Sequence, residues 1–134
     1  MASELKVNTL TGVSTAGSIA VTAEGNSTTT NLQQGLVKTW IAYGDTASSG
    51  NPAIYDSFNH GSITDNGTGK TIYTFSNAMR AGTDYSILGT ANQEGCGGEH
   101  SEMAAGQYEI RVQGNDGTLS DGSQVSTAIM GDLA

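Results

Sequence analysis

From Tyr108 to Gln113 the side chains alternate without a break: Tyr108, Ile110 and Val112 are large and apolar, while Glu109, Arg111 and Gln113 between and after them are polar. A period of two sends alternate side chains to opposite faces of an extended chain, so this segment predicts a strand with one face buried. No long stretch shows an apolar period of 3.6. Gly, Ser, Thr and Asn dominate the composition, where a helical protein would be rich in Ala, Leu, Glu and Lys. The chain is thereby directed to short strands joined by tight turns.

Further strands follow from the same reasoning. Val37 to Tyr43 carries apolar residues on both faces and predicts a central strand, with Trp40 and Tyr43 as anchors. Ile54 to Phe58 and the short Ser62 to Thr64 follow a loop, Asp45 to Pro52, rich in Gly and Ser. Asp65-Asn66-Gly67-Thr68-Gly69 is a strong turn signal, because Asn-Gly accepts the positive φ angles of hairpin turns. Lys70 to Ser76 alternates, with Thr71, Tyr73 and Phe75 on one side and Ile72 and Thr74 on the other. Asn77 to Thr83 fits one helical turn or a loop. Tyr85, Ile87 and Gly89 open another strand, with Leu88 on its other face. Gln93 to Ala105 breaks the pattern and reads as a long loop. A turn region, Gly114 to Gly122, leads to Val125, Thr127 and Ile129. There is no exact internal repeat. The expected fold is all-β, an antiparallel β-sandwich over residues 36–134. Its expected core is Trp40, Ile54, Phe58, Ile72, Phe75, Ile87, Tyr108, Ile110, Val112, Val125 and Ile129.

Residues 1–35 contain no aromatic residue and no proline. Leu5, Val7 and Leu10, and later Ile19 with Val21, read as short extended segments, and Leu32-Gln33-Gln34 as one helical turn ended by Gly35. So few large apolar side chains do not make a core. A free tail is one reading. The alternating apolar residues favour another, an extended N-terminal assembly arm that orders by adding strands to a partner.

Thirteen acidic residues stand against five basic ones, for a formal charge of −8. Lys6, Lys38, Lys70, Arg80 and Arg111 are scattered singly, so no positive field exists for phosphate, and no nucleic-acid partner is expected. Cys96 is the one cysteine, so no intrachain disulfide is expected. The first ten residues lack the apolar run of a signal peptide, and nothing approaches a membrane span in length, so no membrane partner is expected and synthesis in the cytoplasm is.

Glu94-Gly95-Cys96-Gly97-Gly98-Glu99-His100-Ser101-Glu102 gathers a thiol, an imidazole and three carboxylates. Cys96 and His100 are metal-ligand types, with Glu99 or Glu102 as helpers. Structural zinc sites use paired ligand motifs, however, and this chain has no second Cys and one other histidine, His60. A Cys96–His100 nucleophile would need a third group and a rigid oxyanion hole, which a glycine-rich loop does not offer. His60, beside Gly61, fits a turn position. Asn115-Asp116-Gly117 and Ser120-Asp121-Gly122 resemble a calcium loop loosely, without the EF-hand spacing or its terminal Glu. Consecutive Asx-Gly turns explain the same residues and leave a cation at Asp116–Asp121 open. Gly67-Thr68-Gly69-Lys70 lacks the spacing of a phosphate loop. Asn26-Ser27-Thr28 and Asn66-Gly67-Thr68 match the glycosylation sequon, which requires a secretory route. No catalytic, cofactor-binding or metal-ligating residue is assigned, and no cofactor.

Ala2-Ser3-Glu4-Leu5-Lys6-Val7-Asn8-Thr9-Leu10, the stretch from Ser27 to Gly35, Trp40, Tyr55-Asp56-Ser57-Phe58-Asn59 and Ser62-Ile63-Thr64-Asp65-Asn66-Gly67-Thr68-Gly69 form one set of motifs. With Tyr73, Phe75, Asn77-Ala78-Met79, Tyr85 and Ala128-Ile129-Met130-Gly131, this set resembles short tail-fibre-like and other virion surface proteins of marine tailed bacteriophages. The resemblance covers most of the chain. It implies a non-enzymatic structural protein, a homotrimer at the virion surface that meets other tail or capsid proteins through its N-terminal arm. The chain is short and lacks the repetitive shaft of long fibres, so a short fibre or spike and a capsid decoration protein both fit. A carbohydrate-binding module is the expectation of another class, with Tyr43, Tyr55, Tyr73, Tyr85 or Trp40 stacking on a host-surface glycan.

Overall fold

A computed structural model describes residues 4–12, 19–22, 29–45, 50–92 and 95–134, with the backbone alone at 33–34 and 95–101. The chain divides into two compact units, Met1–Gly35 and Leu36–Ala134.

In the first unit β1 (Ala20–Thr22) pairs antiparallel with β2 (Thr29–Asn31), Val21 opposite Thr30. The amide of Leu32 donates to the carbonyl of Ile19 at 2.8 Å, and α1 (Leu32–Gly35) is a single turn. Leu5, Val7, Leu10 and Val21 are all exposed.

The second unit is an antiparallel sandwich. Its first sheet has the order β4-β3-β10-β7 and its second β5-β6-β9-β8. The strands are β3 (Val37–Gly44), β4 (Ala53–Phe58), β5 (His60–Asp65), β6 (Lys70–Phe75), β7 (Tyr85–Ala91), β8 (Gly95–Ala104), β9 (Gln107–Gln113) and β10 (Val125–Gly131). β6 lies beside β9, and β10 beside β7, although neither pair is consecutive. The chain therefore changes sheet four times, after β4, β6, β7 and β9, instead of completing one sheet before the other. The chain passes from the first sheet to the second at Asn59, whose φ is +57°. Asn tolerates that left-handed conformation better than most residues. Its amide side chain also fixes the corner, donating to the carbonyls of Lys38 and Asn77 and accepting from the amide of Asn77 at 2.7 Å.

Four tyrosines share the core with six aliphatic side chains. Tyr43, Tyr73, Tyr85 and Tyr108 are buried with Ile41, Ile63, Phe75, Met79, Ile110, Val112, Val125 and Ile129. A buried hydroxyl needs a partner, and for Tyr73, Tyr85 and Tyr108 threonines and carbonyls of the opposite sheet provide it. Tyr108 shares a hydrogen bond of 2.6 Å with Thr127, and Tyr73 one of 2.8 Å with Thr39. Tyr85 donates to the carbonyls of Gln107 and Ala104 at 2.8 and 3.1 Å. Each of these four bonds joins one sheet to the other. Burial raises all three phenols, Tyr85 to about 12, so they remain neutral.

Several expectations are corrected. Phe58 and Ile54 are exposed, and Trp40 and Ile72 are half-buried, so none belongs to the buried core. On β3 the inward set is Thr39, Ile41 and Tyr43, which puts Trp40 on the outer face. Ile87 packs against the core only in part. The segment expected to be a long loop, Gln93 to Ala105, contains β8, with Cys96 opposite Val112 and Glu99 opposite Glu109. Glu109 lies on the outward set of β9 yet is 2 % exposed, because Asn66 donates to its Oε2 at 2.6 Å and Arg111 to its Oε1 at 2.9 Å.

Candidate interaction surface

The chemistry-bearing residues singled out in the sequence do not converge. Cys96, Glu99 and His100 are placed by the backbone of β8, while their side chains, and Glu94 altogether, lie outside the described residues. Among the described residues no group of three or more His, Cys, Asp or Glu side chains is placed to hold a metal ion. Asp116 accepts from the amide and hydroxyl of Thr118 at 3.0 and 2.7 Å, and these bonds hold its carboxyl below the usual range. Asp121 accepts from the amide of Gly69 at 2.6 Å, tying its loop to the hairpin turn. Both carboxylates thus serve the turns in which they sit. His60 opens β5 with its ring 5.1 Å from that of Tyr73. Its Nδ1 is buried without a hydrogen-bond partner, and burial pushes the imidazole below its ordinary value, which keeps it neutral.

Asp45 was not singled out in the sequence. It follows β3 and is 3 % exposed, with the hydroxyl of Thr71 donating to Oδ2 at 3.0 Å. Burial pushes its carboxyl up, the Thr71 bond opposes that, and the charges of Asp121 and Asp65 add to it. A carboxyl raised on folding contributes stability that is full below its unfolded value and is lost as pH rises through the folded one. Ionised Asp45 therefore weakens the fold at neutral pH. Asp45→Asn keeps an acceptor for Thr71 and is expected to raise the Tm by several degrees at pH 7, with the gain vanishing in acid. Thermal melts of both proteins from pH 3 to pH 7 check this, and parallel curves would show that the charge carries no cost.

The surface that stands out is the outer face of the first sheet. The strand registers align Phe58 with Trp40, Trp40 with Ala128, and Ala128 with Leu88, an unbroken apolar row across all four strands. The next row reads Asp56, Ala42, Ser126 and Thr90. Trp40, Ala42, Ala128, Ser126, Leu88 and Thr90 line an open groove of about 590 Å³. Phe58 and Leu88, 55 % and 57 % exposed, stand at its flanks, and the alanines lie between. Tyr55 is the extra residue where the register shifts between β3 and β4. It is exposed, its hydroxyl donates to the carbonyl of Ser123 at 3.0 Å, and it occupies the space that a side chain at Gly44 would need.

Within Leu36–Ala134 the exposed large apolar residues are Leu36, Val37, Ile54, Tyr55, Phe58 and Leu88. All of them lie on β3, β4 and β7 or, for Leu36, directly before β3; the described side chains of the second sheet contribute none. Of the aromatic residues expected as a glycan platform, Tyr43, Tyr73 and Tyr85 are buried, which leaves Trp40 and Tyr55 with Phe58 beside them. The alternation of β3 separates Trp40 and Ala42 from Ile41 and Tyr43, but both sets are apolar, so it does not say which one faces outward. No family model matches the chain, and no curated protein or solved structure does.

Proposed function

We propose that this chain is a non-enzymatic structural subunit of a tailed-phage virion, a short trimeric fibre- or spike-like component of the particle surface. In this reading residues 1–35 are the arm that joins other virion proteins after synthesis in the host cytoplasm. One observation carries it: the exposed apolar side chains are sorted. They gather on the arm, at Leu5, Val7, Leu10 and Val21, and in the sandwich on the strands of one sheet. Exposed apolar patches of this kind mark surfaces that are covered in an assembly. The sequence resemblance to virion surface proteins points the same way. A capsid decoration protein uses the same two surfaces, and copy number per particle separates the two, being low for a tail fibre and high for a shell-covering protein.

The arm is the testable part. A chain that begins at Leu36 retains every strand of the sandwich. It is expected to melt cooperatively and to fail to enter particles. Thermal unfolding and quantification in purified virions check both halves. Normal incorporation would reduce the arm to a tail, and failure to fold would make the N-terminal strands part of the core.

A further inference from the structure

We infer that the outer face of the sheet β4-β3-β10-β7 is the surface through which copies of this chain pack on one another, with the row Phe58, Trp40, Ala128 and Leu88 at the centre of the contact. The inference rests on the reading of the chain as a homo-oligomeric subunit and adds where the copies meet.

Charge selects a second copy as the occupant. Each chain carries a net −8, so two copies repel wherever carboxylates face each other. In the two central rows of this face the charged residue is Asp56, on the edge strand β4, and Lys38, the next residue on the outward set of β3, is 5 % exposed and so presents little charge to a partner. Like-charged copies can therefore approach here. Shape agrees. Phe58 and Leu88 project beside a floor of Ala42 and Ala128, so one face presents both the knob and the hollow that another copy of it requires. The composition is that of an interface centre, with Trp, Phe and Tyr present and charge depleted. Four strands about 4.8 Å apart and about 20–25 Å long offer roughly 400 Å², about half of what one partner contributes to a standard stable interface. A contact of that size lies below the standard range and holds copies together only weakly by itself.

Trp40 is the single tryptophan and sits in the row, so its fluorescence reports the contact directly. The test uses the full chain, with Leu88→Glu and Phe58→Glu as variants, both at exposed positions, and Thr64→Glu on the second sheet as control. Light scattering of the wild type and of Thr64→Glu is expected to give three times the 13.7 kDa chain mass, with Trp40 protected from acrylamide. Leu88→Glu and Phe58→Glu are expected to give the single-chain mass, with red-shifted, quenchable Trp40 emission and an unchanged far-UV spectrum. A trimeric wild type whose face variants stay trimeric, with Trp40 protected or not, overturns this interface and leaves the trimer standing. A dimeric wild type that Leu88→Glu and Phe58→Glu dissociate supports this interface and overturns the trimer, whereas a monomeric wild type overturns both; if Trp40 is then shielded by an added oligosaccharide, the face is a glycan platform.

Discussion

Tyr108→Ala is expected to unfold a large fraction of the sandwich. Tyr108 is fully buried, its ring centroid 5.0 Å from that of Tyr73 and 5.6 Å from that of Phe75. Its hydroxyl reaches across the core to Thr127 on β10. Truncation removes the packing of an aromatic ring and leaves a cavity, a loss of about 3–5 kcal/mol. It also leaves the Thr127 hydroxyl buried without this partner. Against a typical total stability of about 5–15 kcal/mol, that loss lowers the denaturation midpoint steeply. Tyr108→Phe isolates the polar part: the ring remains, and the orphaned Thr127 hydroxyl costs about 1–3 kcal/mol. Adding Thr127→Val removes the second partner as well and is expected to recover much of that loss. Chemical denaturation of the two single variants and the double variant closes the cycle. If Tyr108→Phe is neutral, the bond between the sheets contributes nothing to stability.

These tyrosines mark the limit of what the sequence made legible. The strand at Tyr108, Ile110 and Val112 was readable because its apolar residues lie on one face only, and period two then shows which face is inside. The same held for Tyr73 and Phe75 on β6. It failed on β3, where both faces are apolar. There the size of Trp40 favoured the inward position, whereas the inward set is Thr39, Ile41 and Tyr43. Thr39 is inside because Tyr73 of the other sheet needs its hydroxyl, a pairing across 34 residues that local pattern does not carry. Phe58 follows Trp40 outward through the register between β3 and β4. β8 was hidden for a different reason. Gly95, Gly97 and Gly98 weaken intrinsic strand preference, and the strand is held by its ladder to β9 at the sheet edge. The candidate face was therefore invisible as a face, although each of its residues was read as part of a strand. Alternation gives two faces and leaves open which one the opposing sheet covers.

Gly69→Ala is expected to cost about 3 kcal/mol, more than its neighbour in the same turn, through strain and overpacking together. The turn after β5 contains two glycines with positive φ, Gly67 at +101° and Gly69 at +64°. They differ in what surrounds them. A side chain at Gly67 would meet open space, so Gly67→Ala carries conformational strain alone, about 1–2 kcal/mol. A Cβ at Gly69 would lie 2.7 Å from both the amide nitrogen of Ser120 and the carbonyl oxygen of Val112. Those atoms are bonded to each other at 3.1 Å, and the carbonyl of Gly69 accepts from the amide of Val112 at 2.9 Å. Its own amide donates to Asp121. Three stretches of backbone, the hairpin turn, the end of β9 and the loop before β10, thus meet where only a glycine fits. Because the neighbours are backbone atoms already engaged in hydrogen bonds, they cannot withdraw without breaking the contacts that hold the loop. Denaturant unfolding of Gly67→Ala and Gly69→Ala separates the two terms: the first measures the strain of positive φ, and the excess in the second measures the close approach. Equal losses at the two positions would mean that the loop at Ser120 yields freely and that this end of the sandwich is held elsewhere.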